Sequence, residues 1–162
     1  ITMNTLHRQA ARYFMGTSFR ALEEKVQAFL STDIPFNQLI LNELKNGLSS
    51  GDHVALFSTS PDFLIHPLAR RLGVNECYAT AYAKQDDGNF TGEITVFDGR
   101  SKAAALQELS EKFQIPLDAA TAYSDHEADL PFLRRAGQGV VVNPSRRLLM
   151  EAKKRGWRVI ES

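Results

Sequence analysis

Three stretches of this sequence combine residue types that could act on an anion or a cation. In the first, Ser58-Thr59-Ser60 ends the apolar run Val54-Ala55-Leu56-Phe57 and precedes Pro61-Asp62, a helix start. Free N–H groups and the dipole at a helix N-terminus attract anions; capping of the helix by Ser60 alone is the other reading. In the second, Gly99-Arg100-Ser101-Lys102 puts a lysine in a first helical turn, where the macrodipole favours negative charge. Such a lysine makes sense facing a bound anion, an attraction on the order of 4 kcal/mol at ~4 Å and an effective dielectric of about 20, before desolvation. Otherwise it is a solvated surface group. In the third, Tyr123-Ser124-Asp125-His126-Glu127-Ala128-Asp129 places two carboxylates four residues apart where a buried strand meets a helix. Asp125 and Asp129 suit a hard cation such as Mg²⁺; alternatively they cap the helix and favour its dipole.

Periodicity outlines the elements that must hold these residues. Residues 4–48 are expected to be helical. Leu22, Val26, Phe29 and Leu30 recur at helical spacing, as do Phe36, Leu39, Ile40 and Leu44 after a break at Asp33-Ile34-Pro35. Past the turn at Gly47, Ser49, Ser50 and Gly51 the period changes, and Val54–Phe57 reads as a strand buried on both faces. The next helix carries Phe63, Leu64, Leu68 and Leu72 and stops at Gly73. Asp86-Asp87-Gly88, between Cys77–Ala83 and Asn89–Val96, predicts a hairpin. A helix over 100–113, a strand near 120–123, a helix through Leu130 and Leu133, a strand at Val140–Val142, a helix over 145–155 and a strand at Trp157–Ile160 complete the order. Strands alternating with helices from residue 52 onward predict an α/β fold, its sheet mostly parallel and covered by helices on both faces.

The 162 residues carry 19 Lys+Arg and 19 Asp+Glu, a net charge of zero. Surfaces built for nucleic acid or anionic membranes show a basic excess, so neither partner is expected. A single cysteine, Cys77, excludes an internal disulfide and a multi-cysteine zinc site and suits a reducing compartment. Apolar runs such as Gly139-Val140-Val141-Val142 are far too short to cross a bilayer, and no charged-then-apolar leader opens the sequence; a cytoplasmic domain is expected. His126 and Glu127 lack a His or Cys partner at zinc spacing. His7, His53 and His66 read as surface or satisfied, partly buried residues, and Cys77 as a small core residue. Arg146, Arg147, Lys153, Lys154 and Arg155 read as the solvated face of the last helix. Gly137-Gln138-Gly139 precedes a strand, the wrong side for a dinucleotide loop.

In order and spacing, four stretches resemble the motifs of the haloacid dehalogenase (HAD) superfamily of phosphatases, above all its phosphoserine-phosphatase-like subfamily IB. They are Val54–Leu64, Gly99–Lys102, Ala122–Leu133 and Val141-Val142-Asn143-Pro144, and the resemblance runs from about residue 8 to the end. It implies a HAD-like Rossmannoid core over residues 49–162, with a β-hairpin at 77–96, and part of the family's helical cap over residues 1–48. It also implies that Ser58 binds the phosphoryl group through its hydroxyl, helped by the Thr59 amide. Lys102 would neutralise the phosphate and the nucleophile, Asp125 would hold Mg²⁺, and Asp129 would support the metal site. The implied activity is Mg²⁺-dependent hydrolysis of a small phosphomonoester through an aspartyl-phosphate.

The sequence departs from the family at one motif, the Asp-x-Asp-x-Thr that supplies the nucleophile, the acid/base aspartate and part of the metal site. No Asp-x-Asp occurs in these 162 residues. Asp98 follows the strand-like Ile94-Thr95-Val96-Phe97, but Arg100 stands where a second aspartate would. Ile1-Thr2-Met3-Asn4-Thr5-Leu6 would be a degenerate remnant with Thr2 and Asn4 replacing both carboxylates, but this stretch reads as the middle of the cap. Two expectations follow. Either the motif lies upstream in a longer, active phosphatase, or the domain is a catalytically inactive relative that serves as a binding or regulatory module.

Overall fold

The structure, a computed structural model, describes residues 3–162; Ile1 and Thr2, the latter weighed above as a degenerate motif position, lie outside the described residues. The chain divides after Phe97 into two compact units.

Three helices open the first unit: α1 (Met3–Phe14), α2 (Phe19–Leu30) and α3 (Gln38–Ser50). The Asp33-Ile34-Pro35 break falls between α2 and α3, where Pro35 cannot extend a helix. Asn37 then caps α3, its side chain accepting from the Leu39 and Ile40 N–H groups at 3.1 and 3.2 Å. Next come β1 (Ala55–Pro61), α4 (Asp62–Leu72), β2 (Glu76–Lys84) and β3 (Phe90–Thr95). β1 and β2 run parallel, and β2 pairs antiparallel with β3 across the Asp86-Asp87-Gly88 corner that the sequence predicts. Ala11, Tyr82 and Phe90 are buried at the centre, with Phe14, Phe19, Leu22 and Phe63 packed around them. The Phe63 ring centroid lies 5.2 Å from Tyr82 and 5.7 Å from both Phe14 and Phe90, edge to face, contacts worth about 0.5–1.5 kcal/mol each beyond the area they bury. The corner between α1 and α2 is joined to the hairpin by the packing of Phe14 and Phe19 on Phe90 and by main-chain hydrogen bonds. Gly16 N–H donates to the Phe90 carbonyl at 2.8 Å, Phe90 N–H to the Thr17 carbonyl at 3.1 Å, and Phe19 N–H to the Gly88 carbonyl at 3.0 Å.

The second unit contains α5 (Gly99–Phe113), β4 (Thr121–Ser124), α6 (Leu130–Arg135), β5 (Gln138–Val142), α7 (Arg146–Arg155) and β6 (Arg158–Ile160). Short 3-10 turns occupy Leu117–Ala119 and Glu127–Asp129. β4, β5 and β6 form a wholly parallel sheet in that order. Leu133, Val140, Val141, Leu148 and Ala152 are fully buried among its helices. Gly139 has a packing reason: a Cβ there would lie 2.6 Å from the Trp157 ring. The α/β class expected from the sequence is therefore present, its strands divided between two three-stranded sheets.

Candidate functional site

Lys102, Asp125 and Asp129 all belong to the second unit, at the N-terminus of α5 and in the turn after β4. Asp98 caps α5 with one carboxylate oxygen, which accepts from Arg100 N–H at 3.0 Å, Ser101 N–H at 2.9 Å and the Ser101 hydroxyl at 3.1 Å. The Ser101 amide, more than any other group, holds the Asp98 carboxyl below the usual carboxylate range. Asp98 thus serves as a cap, which accounts for the strand-then-Asp pattern seen in the sequence. Gly99, the next residue, lies so close to the following turn that a Cβ would come 2.0 Å from the Ala128 carbonyl oxygen and 3.3 Å from Asp129 Cα. Only glycine permits that approach, and the approach sets Lys102 against Asp129.

Lys102 Nζ donates to both Asp129 oxygens, at 2.9 and 2.7 Å. The pair is desolvated, Lys102 being 7% and Asp129 8% exposed. Ser124, the last residue of β4, adds its hydroxyl to Asp129 Oδ2 at 2.8 Å and accepts the His126 N–H at 3.1 Å. The lysine that looked misplaced against the helix dipole therefore faces a fixed carboxylate of its own chain. Asp125 is exposed, and its side chain makes no hydrogen bond among the described residues. The capping role considered for Asp125 falls instead to His126, whose Nδ1 accepts from Ala128 N–H at 3.0 Å.

As for a metal, no three His, Cys, Asp or Glu side chains among the described residues are grouped to hold one. Asp129 is committed to Lys102 and Ser124, which leaves Asp125 as the open carboxylate of the turn. Mg²⁺ demands near-octahedral oxygen coordination, which a single open carboxylate does not make alone.

Ser58 and Thr59 belong to the first unit, near the end of β1, both half-buried. Ser60 N–H donates to Ser58 Oγ at 3.1 Å, which leaves the Ser58 hydroxyl proton free to donate outward. Capping by Ser60 is not what the structure shows: α4 begins at Asp62, with Pro61 as the flanking residue and no side-chain cap. Asp62 Oδ1 accepts instead from Phe63 N–H at 2.8 Å and from Tyr82 N–H at 3.4 Å. Thr80, which the sequence reading passed over, donates to the Thr59 carbonyl at 2.6 Å. Its only sequence signal is a hydroxyl at an inward position of an apolar strand.

His7 departs from expectation. It is 5% exposed, its Nδ1 lies 2.8 Å from the Tyr82 hydroxyl, and its Nε2 is buried with no hydrogen-bond partner among the described residues. Burial lowers its pKa, opposed by the Thr59 main chain. His66 is exposed. Cys77 is half-buried, its thiol pushed up to about 11 chiefly by burial, so it is no nucleophile. Part of the basic face of α7 is paired, with Arg155 and Arg134 both on Glu151 at 2.5 and 2.8 Å. Among the described residues no helix is long and apolar enough to cross a membrane.

Comparison with known proteins gives the family of the chain. A "Probable phosphatase" of Mycobacterium tuberculosis is 40% identical over 111 residues, 68% of this chain and 38% of that protein. The "Phosphoserine phosphatase SerB1" of the same organism is 37% identical over 114 residues, 69% of this chain and 37% of that protein. The matched stretch thus spans less than two fifths of either relative. A solved phosphoserine phosphatase with substrate bound superposes with a TM-score of 0.72 over 99% of this chain and 72% of that one, at 20% identity, a likeness of fold. The family model described as haloacid dehalogenase-like hydrolase matches residues 2–134. The resemblance to the family is upheld, and the chain belongs to the haloacid dehalogenase-like hydrolases.

Proposed function

We propose that this chain is part of a phosphatase acting on a small phosphomonoester. The observation that carries the reading is the buried Lys102–Asp129–Ser124 set beside the open carboxylate of Asp125, where β4 ends. Asp129 and Ser124 hold one cation, the Lys102 ammonium, in a fixed position without solvent, the kind of preorganised charge that stabilises a phosphoryl group as its charge redistributes. Ser58 donates its free hydroxyl to a phosphoryl oxygen, and the Thr59 amide assists. Asp125 is the ligand these residues would give to Mg²⁺; Asp129 acts on the site through Lys102.

The nucleophile is absent from this set, since no Asp-x-Asp occurs in the sequence. We place it, with the remaining Mg²⁺ ligands, upstream of these residues in a longer protein, where it would form the aspartyl-phosphate. The missing motif also favours a second reading, a domain that binds phosphate without turning it over. One experiment separates the two. The 162-residue chain and a form extended upstream by the encoding gene are assayed with a generic phosphomonoester and Mg²⁺. Turnover and a trapped acyl-phosphate only in the extended form, both lost in Asp125→Ala, support the phosphatase. Hydrolysis by the 162-residue chain alone would overturn the upstream nucleophile, and inactivity of a folded extended form would favour the binding module.

A further inference from the structure

We propose that Thr80 is a positioning residue for Ser58, acting through a single peptide plane. Thr80 is 0% exposed, in the middle of β2. Its hydroxyl donates to the Thr59 carbonyl at 2.6 Å and accepts the Phe97 N–H at 3.1 Å, so the oxygen is held on two sides. The register between β1 and β2 shifts between Phe57 and Pro61, which takes Thr59 out of the regular ladder. There the Thr80 side chain supplies a donor to a carbonyl of the irregular stretch.

That bond reaches Ser58 by covalent geometry. The Thr59 carbonyl and the Ser60 N–H belong to one trans peptide group, whose C=O and N–H point in opposite directions from a rigid plane. Fixing the carbonyl toward Thr80 therefore fixes the N–H on the other side, and that N–H donates to Ser58 Oγ at 3.1 Å. The chain of contacts runs from Thr80 Oγ1 to the Thr59 carbonyl, across the peptide to Ser60 N, and on to Ser58 Oγ. Because Ser58 Oγ accepts from Ser60, its own proton is directed elsewhere, ready for an acceptor. Without Thr80 the plane can rotate, the Ser60 bond is lost part of the time and the Ser58 hydroxyl samples other rotamers.

The functional consequence rests on the reading of Ser58 as the phosphoryl-binding residue, whereas the geometric consequence does not. The test has two arms on the 162-residue chain, with Thr80→Val as the near-isosteric variant lacking the hydroxyl and Thr80→Ser as the rescue. In the first arm, NMR measures Ser60 amide exchange and the Ser58 side-chain rotamer. We expect about fivefold faster exchange and an averaged rotamer in Thr80→Val, and native values in Thr80→Ser. The second arm titrates inorganic phosphate, and we expect binding weakened about 3- to 10-fold in Thr80→Val, with no further loss when Thr80→Val is added to Ser58→Ala. A folded Thr80→Val chain with native Ser60 exchange and a native Ser58 rotamer refutes the positioning role, whatever its phosphate affinity. A native chain whose Ser58–Ser60 signals ignore phosphate refutes the reading of Ser58 instead, and the first arm still decides the role of Thr80. Should Thr80→Val fail to fold, Thr80→Ala is measured the same way.

Discussion

Replacing Lys102 by methionine keeps the length of the side chain and removes its charge, which isolates the electrostatics of the buried pair. At the observed 2.7 Å, and with an effective dielectric of about 20, the attraction between the partners is about 6 kcal/mol before desolvation. Lys102→Met deletes that attraction but leaves the Asp129 carboxylate buried, with only the Ser124 hydroxyl for company. Removing one member of a buried pair costs about 3–5 kcal/mol. For a chain of 162 residues that corresponds to a melting temperature lower by about 6–20 °C. The double variant Lys102→Met/Asp129→Leu removes the stranded charge as well and should regain most of the loss, because Ser124 still accepts the His126 amide. Thermal and urea unfolding of native, both singles and the double complete a cycle whose coupling term should exceed about 2 kcal/mol in favour of the pair. A single variant melting within about 2 °C of native, or a double variant as unstable as the two singles summed, would refute the buried pair as a structural element.

Gly99→Ala forces a methyl group to 2.0 Å from the Ala128 carbonyl, so we expect a loss of about 1–3 kcal/mol by overpacking, seen as a lower urea midpoint with unchanged slope. For Asp98→Ala, loss of a helix cap predicts about 1 kcal/mol at neutral pH. Because the folded Asp98 carboxyl is depressed, that contribution should be fully present above the unfolded value of 3.8 and fade as the pH falls through the folded one, so the two stability curves converge in acid. His7 gives a different pH dependence. Burial lowers its pKa from 6.5, so below about that pH the unfolded chain binds a proton that the folded chain refuses, and stability should fall as the medium is acidified toward the folded value. Melting scans of native and His7→Gln from pH 8 to pH 5 should show that the variant lacks this slope; parallel curves would refute His7 as its source.

Local signals made most of the architecture legible. Asp-Gly marked the β2–β3 corner, Pro35 separated α2 from α3, and Ser60-Pro61-Asp62 announced α4 to within a residue, because each acts through backbone conformation and needs no distant partner. The residue types of the site were legible for a similar reason: strand ends followed by helix starts concentrate free N–H groups. What the residues touch was not. Lys102 and Asp129 are 27 positions apart, and nothing local pairs them; the sequence suggested that the lysine faced an anion without showing that the anion was part of the chain. Gly99 read only as a helix start, because close approach to Ala128 is a fact of packing. His7 read as satisfied, since a side chain's partner count depends on the whole fold. Thr80 read as an ordinary strand residue, its relevance arising only from a register shift in the neighbouring strand.

The joint between the α1–α2 corner and the β2–β3 hairpin includes, beside the packing of Phe14 and Phe19 on Phe90, three main-chain hydrogen bonds, at 2.8, 3.1 and 3.0 Å. Bonds of that kind are indifferent to side-chain identity, apart from the exclusion of proline at the donating positions Gly16, Phe19 and Phe90. Mutations that recolour the outer faces of α1 and α2 can therefore accumulate without loosening their attachment. Inheritance acts on this part of the molecule as on a tool with a fixed handle and an exchangeable head: the anchorage persists while the chemistry displayed is free to drift. Diversification of what such helices recognise should outpace divergence of how they are mounted, and a library randomised at exposed α1 positions such as Leu6 and Tyr13 should retain folded members at a high rate.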